Sequence, residues 1–188
     1  MSEHNHAHEH THAHDEKEMS PQEVVSSLLY LAEVALGAAD YESAATAYAS
    51  VLQLEANATA LYNLGSFYAR GLGVARDYVE AARLFRQAEL MGNERAGKLC
   101  KKCMLDYMNE DIATKSPADL YAKMAMFVLK VYPEATHQRA EAANGLVAVG
   151  LTNQSRGDVA AAKRLFRAAA EFGDDKQAQT YLDELSLA

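Results

Sequence analysis

A recurring pair of amphipathic helices is the feature of this sequence that most constrains its fold. Between residues 60 and 92, small and large apolar residues recur at steps of three and four in two runs, which are Leu61, Leu64, Gly65 and Tyr68, then Ala81, Phe85 and Ala88. Such steps gather side chains on one face of a helix. Gly71 and Gly73 follow the first run and end its helix, and Asp77 caps the second. The stretch therefore predicts a helical hairpin.

The same hairpin pattern fits one segment upstream and one downstream. The small residue of the first helix pairs with the first alanine of the second as Ala32 with Ala44, Gly65 with Ala81, and Gly150 with Ala162. The separation is twelve residues in the outer copies and sixteen in the middle copy, which therefore has four additional residues in its turn. A small residue on each helix lets the two axes approach closely, and a large neighbour fills the remaining space. The predicted packing residues are Leu61, Leu64, Gly65, Tyr68, Gly71, Gly73, Ala81, Phe85, Ala88, Gly150, Ala162, Phe166 and Ala169.

Outside the three copies of the hairpin, the sequence predicts a polar N-terminal tail and further helices. Residues 1–19 contain almost nothing apolar and are predicted to be disordered. Helices are expected in ERAGKLCKKCMLDYMNE, in SPADLYAKMAMFVLKVY and from Ala135 to about Asn153. The predicted domain is 20–188, with repeats at about 25–57 and 58–92, a diverged hairpin at 93–142, a repeat at 143–175 and a capping helix at 176–188. A cap is needed because a terminal repeat otherwise exposes its apolar face.

At these residues the chain resembles the tetratricopeptide repeat family, and residues 58–92 are similar to its Sel-one-like relatives. The matching positions are Leu64, Gly65, Tyr68, Gly71, Gly73, Val74, Asp77, Ala81, Phe85, Ala88 and Gly92. Leu84 stands where the family favours a tryptophan, and Glu89 stands for the second alanine of a pair. The resemblance implies an all-α, right-handed solenoid of antiparallel helix hairpins, with about eight or nine helices.

The resemblance also implies a non-enzymatic scaffold that binds a protein or peptide on the concave face lined by the first helix of each hairpin. In the middle copy, the residues expected to face inward are Tyr62, Asn63 and Ser66. Asn63 matches an asparagine with which many tetratricopeptide domains hold a peptide carboxylate. The other positions of that clamp lack its lysines, arginine and second asparagine, and hold Ser26, Leu29, Tyr30, Glu33 and Ser66. Binding of chaperone tails is therefore disfavoured, and the alternative is that Tyr62 and Asn63 are ordinary surface residues.

Charge and hydropathy restrict the partners. The formal net charge is -8, which disfavours nucleic acid and anionic membranes. No apolar run approaches the roughly 20 residues that span a bilayer, and the N-terminal residues do not resemble a signal peptide. We therefore expect a cytoplasmic protein with a protein or peptide partner. No catalytic grouping of serine, histidine and acid and no phosphate-binding glycine loop is apparent, so no enzymatic activity is expected. The oligomeric state is left open.

The tail holds six alternating histidines, which are His4, His6, His8, His10, His12 and His14. Alternate residues of an extended chain point the same way, so several imidazoles can converge on nickel, zinc or copper. This pattern predicts metal binding by the tail, whereas the folded part requires no cofactor. The alternative function is thus a metal-handling accessory protein, although an engineered purification segment would have the same chemistry.

Three further features are interpreted as structural. Cys100 and Cys103 have the spacing of a redox or metal pair, but a second pair is lacking and core packing is favoured. His137 lies among polar residues and is expected to be solvated. The apolar run at 124–132 is expected to be core, or an adaptable binding surface formed by its methionines.

Overall fold

The chain is an array of α-helices. A computed structural model describes residues 19–110, 113–173 and 175–187, and within these ranges the chain forms nine helices and no strand. The helices are α1 (Pro21–Gly37), α2 (Tyr41–Leu54), α3 (Ala58–Arg70), α4 (Tyr78–Leu90), α5 (Glu94–Asn109), α6 (Pro117–Val131), α7 (Thr136–Ser155), α8 (Val159–Gly173) and α9 (Lys176–Leu187). The predicted all-α helical-repeat fold is confirmed.

Helices that follow one another in the chain pack together. The hairpins α1–α2, α3–α4 and α7–α8 each form a close pair, and α2–α3, α4–α5 and α6–α7 join one hairpin to the next. The C-terminal helix α9 packs on α8, the position expected for a cap. The helix α6 also packs on α4 and on α8, which are not its immediate neighbours in the chain. The second helices of the last three hairpins are therefore neighbours along one side of the array.

Short polar residues set the starts of the helices. Ser20 and Glu23 form a capping box at the start of α1, in which each side chain bonds the backbone amide of the other residue. Asp77 accepts hydrogen bonds from the amides of Val79 and Glu80 at 2.9 and 3.0 Å. Gly71 follows the last residue of α3, where it adopts a left-handed conformation with φ 70° and ends that helix. The predicted cap at Asp77 is thus present, and Ser20 caps the helix that begins the folded domain.

Small residues and aromatic rings face each other inside the hairpins. A methyl group added to Gly65 would lie 3.1 Å from the Phe85 ring, and one added to Gly150 would lie 2.5 Å from the Phe166 ring. Most of the predicted packing positions are buried, namely Leu61, Leu64, Gly65, Ala81, Phe85, Ala88, Gly150, Ala162, Phe166 and Ala169. The glycines thus lie where the helix axes approach most closely.

Gly73 has a different role. It lies in the turn between α3 and α4 with φ 66°, and a β-carbon added there would overlap the backbone of Tyr41 and Glu42 at the start of α2. The longer turn of the middle hairpin therefore packs on the preceding hairpin, a contact that the repeat pattern alone does not predict.

The helix α6 takes part in two hydrophobic cores. Its residues Phe127 and Val131 belong to the core formed by α1 to α5, whereas Ala122, Ala125 and Leu129 belong to the core formed with α7, α8 and α9. Arg86 of α4 contacts one carboxylate oxygen of Glu134, just after α6, through its Nε and Nη2 atoms and reinforces this junction. The predicted division into repeats at 93–142 and 143–175 stays a prediction, but its diverged segment contains the helix that joins the two cores.

Candidate functional site

A groove runs between α4, α6 and α8. It consists of two adjoining hollows of about 520 and 720 Å³, which share Val79, Tyr107 and Lys130. The α6 residues that line the first hollow lie three or four positions apart and therefore form one face of that helix, comprising Asp119, Ala122, Lys123, Met126, Phe127 and Lys130. The first hollow consists of this face of α6 together with Tyr107, Lys115, Ala161, Arg164 and Leu165.

The first hollow has an apolar base and a cationic rim. Tyr107, Met126 and Leu165, which are half-buried, contribute apolar surface. Among the described residues of the lining, the cations are Lys115, Lys123, Lys130 and Arg164 and the one carboxylate is Asp119. The Lys123 ammonium lies 3.9 Å from the centre of the Tyr107 ring and donates a hydrogen bond to the Tyr107 carbonyl. In a chain of net charge -8, this local excess of cations is a departure from the average surface.

In the second hollow, Arg83 and Arg139 are hydrogen-bonded to other groups of the same chain. Arg83 donates two hydrogen bonds to the Glu80 carboxylate, at 2.8 and 2.6 Å, and this pairing raises the pKa of Arg83. Arg139 donates to the backbone carbonyls of Leu129 and Phe172 and so ties α7 to the ends of α6 and α8. Apart from the shared Lys130, the cations of the second hollow are therefore engaged within the chain, which distinguishes this hollow from the first.

The residues predicted to bind a partner on α3 lie elsewhere. Tyr62, Asn63 and Ser66 are half-buried and line neither hollow. Asn63 donates a hydrogen bond of 3.0 Å to the Tyr48 hydroxyl, and the Ser66 hydroxyl donates to the Tyr62 carbonyl at 2.9 Å. The Tyr62 ring meets the edge of the Phe85 ring at 5.8 Å. Each residue thus has a contact that stabilises the hairpin, and a role in binding stays a prediction.

The groove was missed because second helices were expected to form the outer face of the solenoid. One sequence signal could have identified it, since Lys130 interrupts the apolar run at 124–132. Phe127, Leu129 and Val131 of that run are buried as expected, but Met124 is 40% exposed and Lys130 is also exposed. A cation within a buried stretch marks a side of α6 that no neighbouring helix covers.

The two cysteines lie in the core. Cys100 and Cys103 are buried on α5 and are not bonded to each other, and the Cys100 sulfur lies 3.5 Å from the Tyr132 hydroxyl. Burial raises the pKa of Cys100, and burial together with the neighbouring Cys100 raises the pKa of Cys103 to about 12. The expected core packing of the pair is thus observed, and His137, which is likewise as expected, is exposed beside Glu141.

We expect both thiols to resist alkylation in the folded protein. The thiolate is the reactive form, so a pKa of about 12 for Cys103 at neutral pH predicts a reaction with iodoacetamide at least about a hundredfold slower than after unfolding in urea. Mass spectrometry of timed reactions measures both rates. Rapid alkylation of native protein would show that α5 opens readily.

The same thiols should make the stability depend on pH. Since their folded pKa values are raised, unfolding favours ionisation, and the free energy of unfolding should decrease as the pH rises above about 9.

The predicted metal ligands His4, His6, His8, His10, His12 and His14 lie outside the described residues. In the part of the chain that is described, no group of three histidine, cysteine, aspartate or glutamate side chains could hold a metal ion. No helix in the same part is long and apolar enough to cross a membrane.

Comparison with known families identifies one repeat. Residues 58–93 match the Sel1 repeat, and they comprise α3, the long turn and α4. The predicted Sel-one-like repeat is therefore confirmed. Repeats of this type generally mediate protein–protein interaction and are generally non-catalytic. No curated protein and no solved structure was found to match the chain.

Proposed function

We propose that this protein is a non-enzymatic scaffold that binds a protein or peptide partner in the groove between α4, α6 and α8. The observation that carries the proposal is the first hollow, where one face of α6 is left uncovered between two helices that flank it. A hollow with an apolar base and a polar rim is the usual form of a specific binding surface. The Sel1 repeat supports the same general function.

A substitution that fills the hollow tests this proposal. Ala161 is half-buried and lines the first hollow, whereas its neighbour Ala160 is exposed and does not line it. Lysate of the cells that express the protein is passed over immobilised wild type, Ala161→Trp and Ala160→Trp, and retained proteins are identified by mass spectrometry. We expect a partner retained by wild type and Ala160→Trp to be lost with Ala161→Trp. Equal retention by all three would place binding outside the groove.

The second candidate function is metal handling by the histidine-rich tail. It is supported by the six alternating histidines, a spacing that suits a borderline metal ion. Titration of the full chain with nickel at pH 7.5 should give sub-micromolar binding, and a variant with all six replaced by serine should lose it. Because metal and protons compete for imidazole, binding should also weaken below pH 6.5, the usual histidine pKa. Affinity unaffected by the serine variant would remove this candidate.

A further inference from the structure

The cations of the first hollow are available to a ligand to different degrees. Lys123 is held against Tyr107, as described above. Lys130 is exposed, with its ammonium 5.5 Å from the centre of the Phe172 ring. Lys115 and Arg164 are also exposed, and in the described part of the chain no carboxylate lies within ion-pair distance of either. Three cationic groups at the rim can therefore pair with a ligand without breaking an ion pair.

Among the described residues of the hollow, one carboxylate stands against four cations. Asp119 accepts a hydrogen bond from the Ser116 hydroxyl at 2.6 Å, at the first turn of α6, and is thus engaged in capping. The formal charge of the hollow is about plus three. A concave surface with one sign of charge concentrates ligands of the opposite sign. The hollow is consequently complementary to an anion, although the chain as a whole is acidic.

The base of the hollow indicates what kind of anion would bind. Tyr107, Met126 and Leu165 are half-buried and expose apolar surface beneath the cations, and the fully buried Phe127 lies behind them. An inorganic anion or a phosphate backbone would leave this surface in contact with water, whereas a peptide side chain would bury it. A long polyanion would also extend into the second hollow, where Asp77, Glu80 and Glu171 balance Arg83, Lys130 and Arg139 and leave no excess positive charge to attract it. A peptide that alternates carboxylates with large apolar side chains satisfies both the rim and the base.

We propose that the first hollow binds an acidic peptide segment, with aspartate or glutamate side chains paired to Lys115, Lys130 and Arg164 and at least one large apolar side chain on the base. This inference rests on the proposed scaffold function and names the chemistry of its partner. The recognised segment would lie along α6, and its carboxylates would confer both specificity and fast association.

Selection from a random library provides the test. Phage-displayed random peptides of 12 residues are selected on the full chain, and the affinities of enriched peptides are measured by fluorescence anisotropy. The groove variant is Lys130→Glu with Arg164→Glu, which changes the charge of the hollow from about plus three to about minus one. The control is Lys98→Glu with Lys101→Glu, an equal change of charge at exposed residues of α5 that do not line the hollow.

We expect enriched peptides to be acidic and to contain large apolar residues. Their affinity should fall at least about tenfold in the groove variant and less than about twofold in the control, and it should decrease as salt rises. Thermal unfolding should be similar for wild type and both variants, because all four substituted side chains are exposed. Unchanged unfolding excludes misfolding as the cause of lost binding.

The remaining outcomes separate this inference from the function on which it rests. Enriched peptides that are not acidic, or that bind the groove variant as tightly as wild type, would overturn the inference and leave a peptide-binding scaffold. Stronger binding of a 12-nucleotide single-stranded DNA than of any peptide, with the same dependence on Lys130 and Arg164, would also overturn it in favour of nucleic acid. A library that yields no binder would contradict both the acidic-peptide inference and peptide binding in the groove.

Discussion

Phe166→Ala should lower the free energy of unfolding by about 3 to 5 kcal/mol, the usual cost of removing a fully buried phenylalanine ring. The Phe166 side chain is fully buried, stacks on the Tyr181 ring at 5.2 Å and packs against Gly150. It therefore joins α7, α8 and α9 at one point. Truncation leaves a cavity that these helices can close only by moving together. Urea denaturation followed by circular dichroism measures the loss.

Phe172→Ala is the matched control for this prediction. Phe172 lies on the same helix and borders the same core, but it is only partly buried. We expect it to cost less than Phe166→Ala, since burial determines how much transfer free energy and cavity volume are at stake. Equal losses for the two variants would mean that the α7–α8–α9 packing described here does not depend on the Gly150–Phe166 contact.

Gly73→Ala should destabilise the protein by about 2 to 5 kcal/mol, for two reasons that add. A residue with a β-carbon at φ 66° is strained by about 1 to 2 kcal/mol. The added methyl group would also overlap the backbone of Tyr41 and Glu42 at the start of α2. Backbone atoms cannot move aside as a side-chain end can, and overpacking typically costs about 1 to 3 kcal/mol more. The measurement is again urea denaturation.

Gly71→Ala separates these two causes. Gly71 lies in the same turn with φ 70°, but a methyl group added there would be 3.4 Å from its nearest neighbour, the Arg76 β-carbon. Only the conformational strain applies, so this variant should lose about 1 to 2 kcal/mol. If Gly71→Ala proved as costly as Gly73→Ala, the contact between the long turn and α2 would not contribute to stability.

Local features of the fold could be predicted from the sequence because their causes are local. The Ser20 capping box, the Asp77 cap and the Gly71 helix end each depend on residues within one or two turns. The recurrence of small and large residues paired Gly65 with Ala81, and the structure places Gly65 against both Ala81 and the Phe85 ring. The Gly73 contact with Tyr41 was not predictable in this way, because it joins segments about thirty residues apart.

The candidate site was harder to predict than the fold. It depends on which helices of successive hairpins become neighbours, and that arrangement is set by the segment 93–142, where the repeat pattern is weakest. Without a repeat pattern, Lys130 within the apolar run was the one sequence signal for the exposed face of α6. Tyr62 and Asn63 occupy repeat positions that suggested a binding surface. In the structure the Tyr62 ring contacts the Phe85 ring and the Asn63 amide donates to the Tyr48 hydroxyl, and a role of the two residues in binding stays a prediction.

The dual membership of α6 makes groove occupancy and the mutual orientation of the two cores thermodynamically linked. The α6 residues that line the groove include Phe127 of the first core and Ala122 of the second. A ligand that favours one position of α6 therefore favours one angle between the halves of the array, and anything that fixes that angle changes the ligand's affinity by the same factor. The helix that receives a partner is thus also the one through which binding can alter the shape of the whole array.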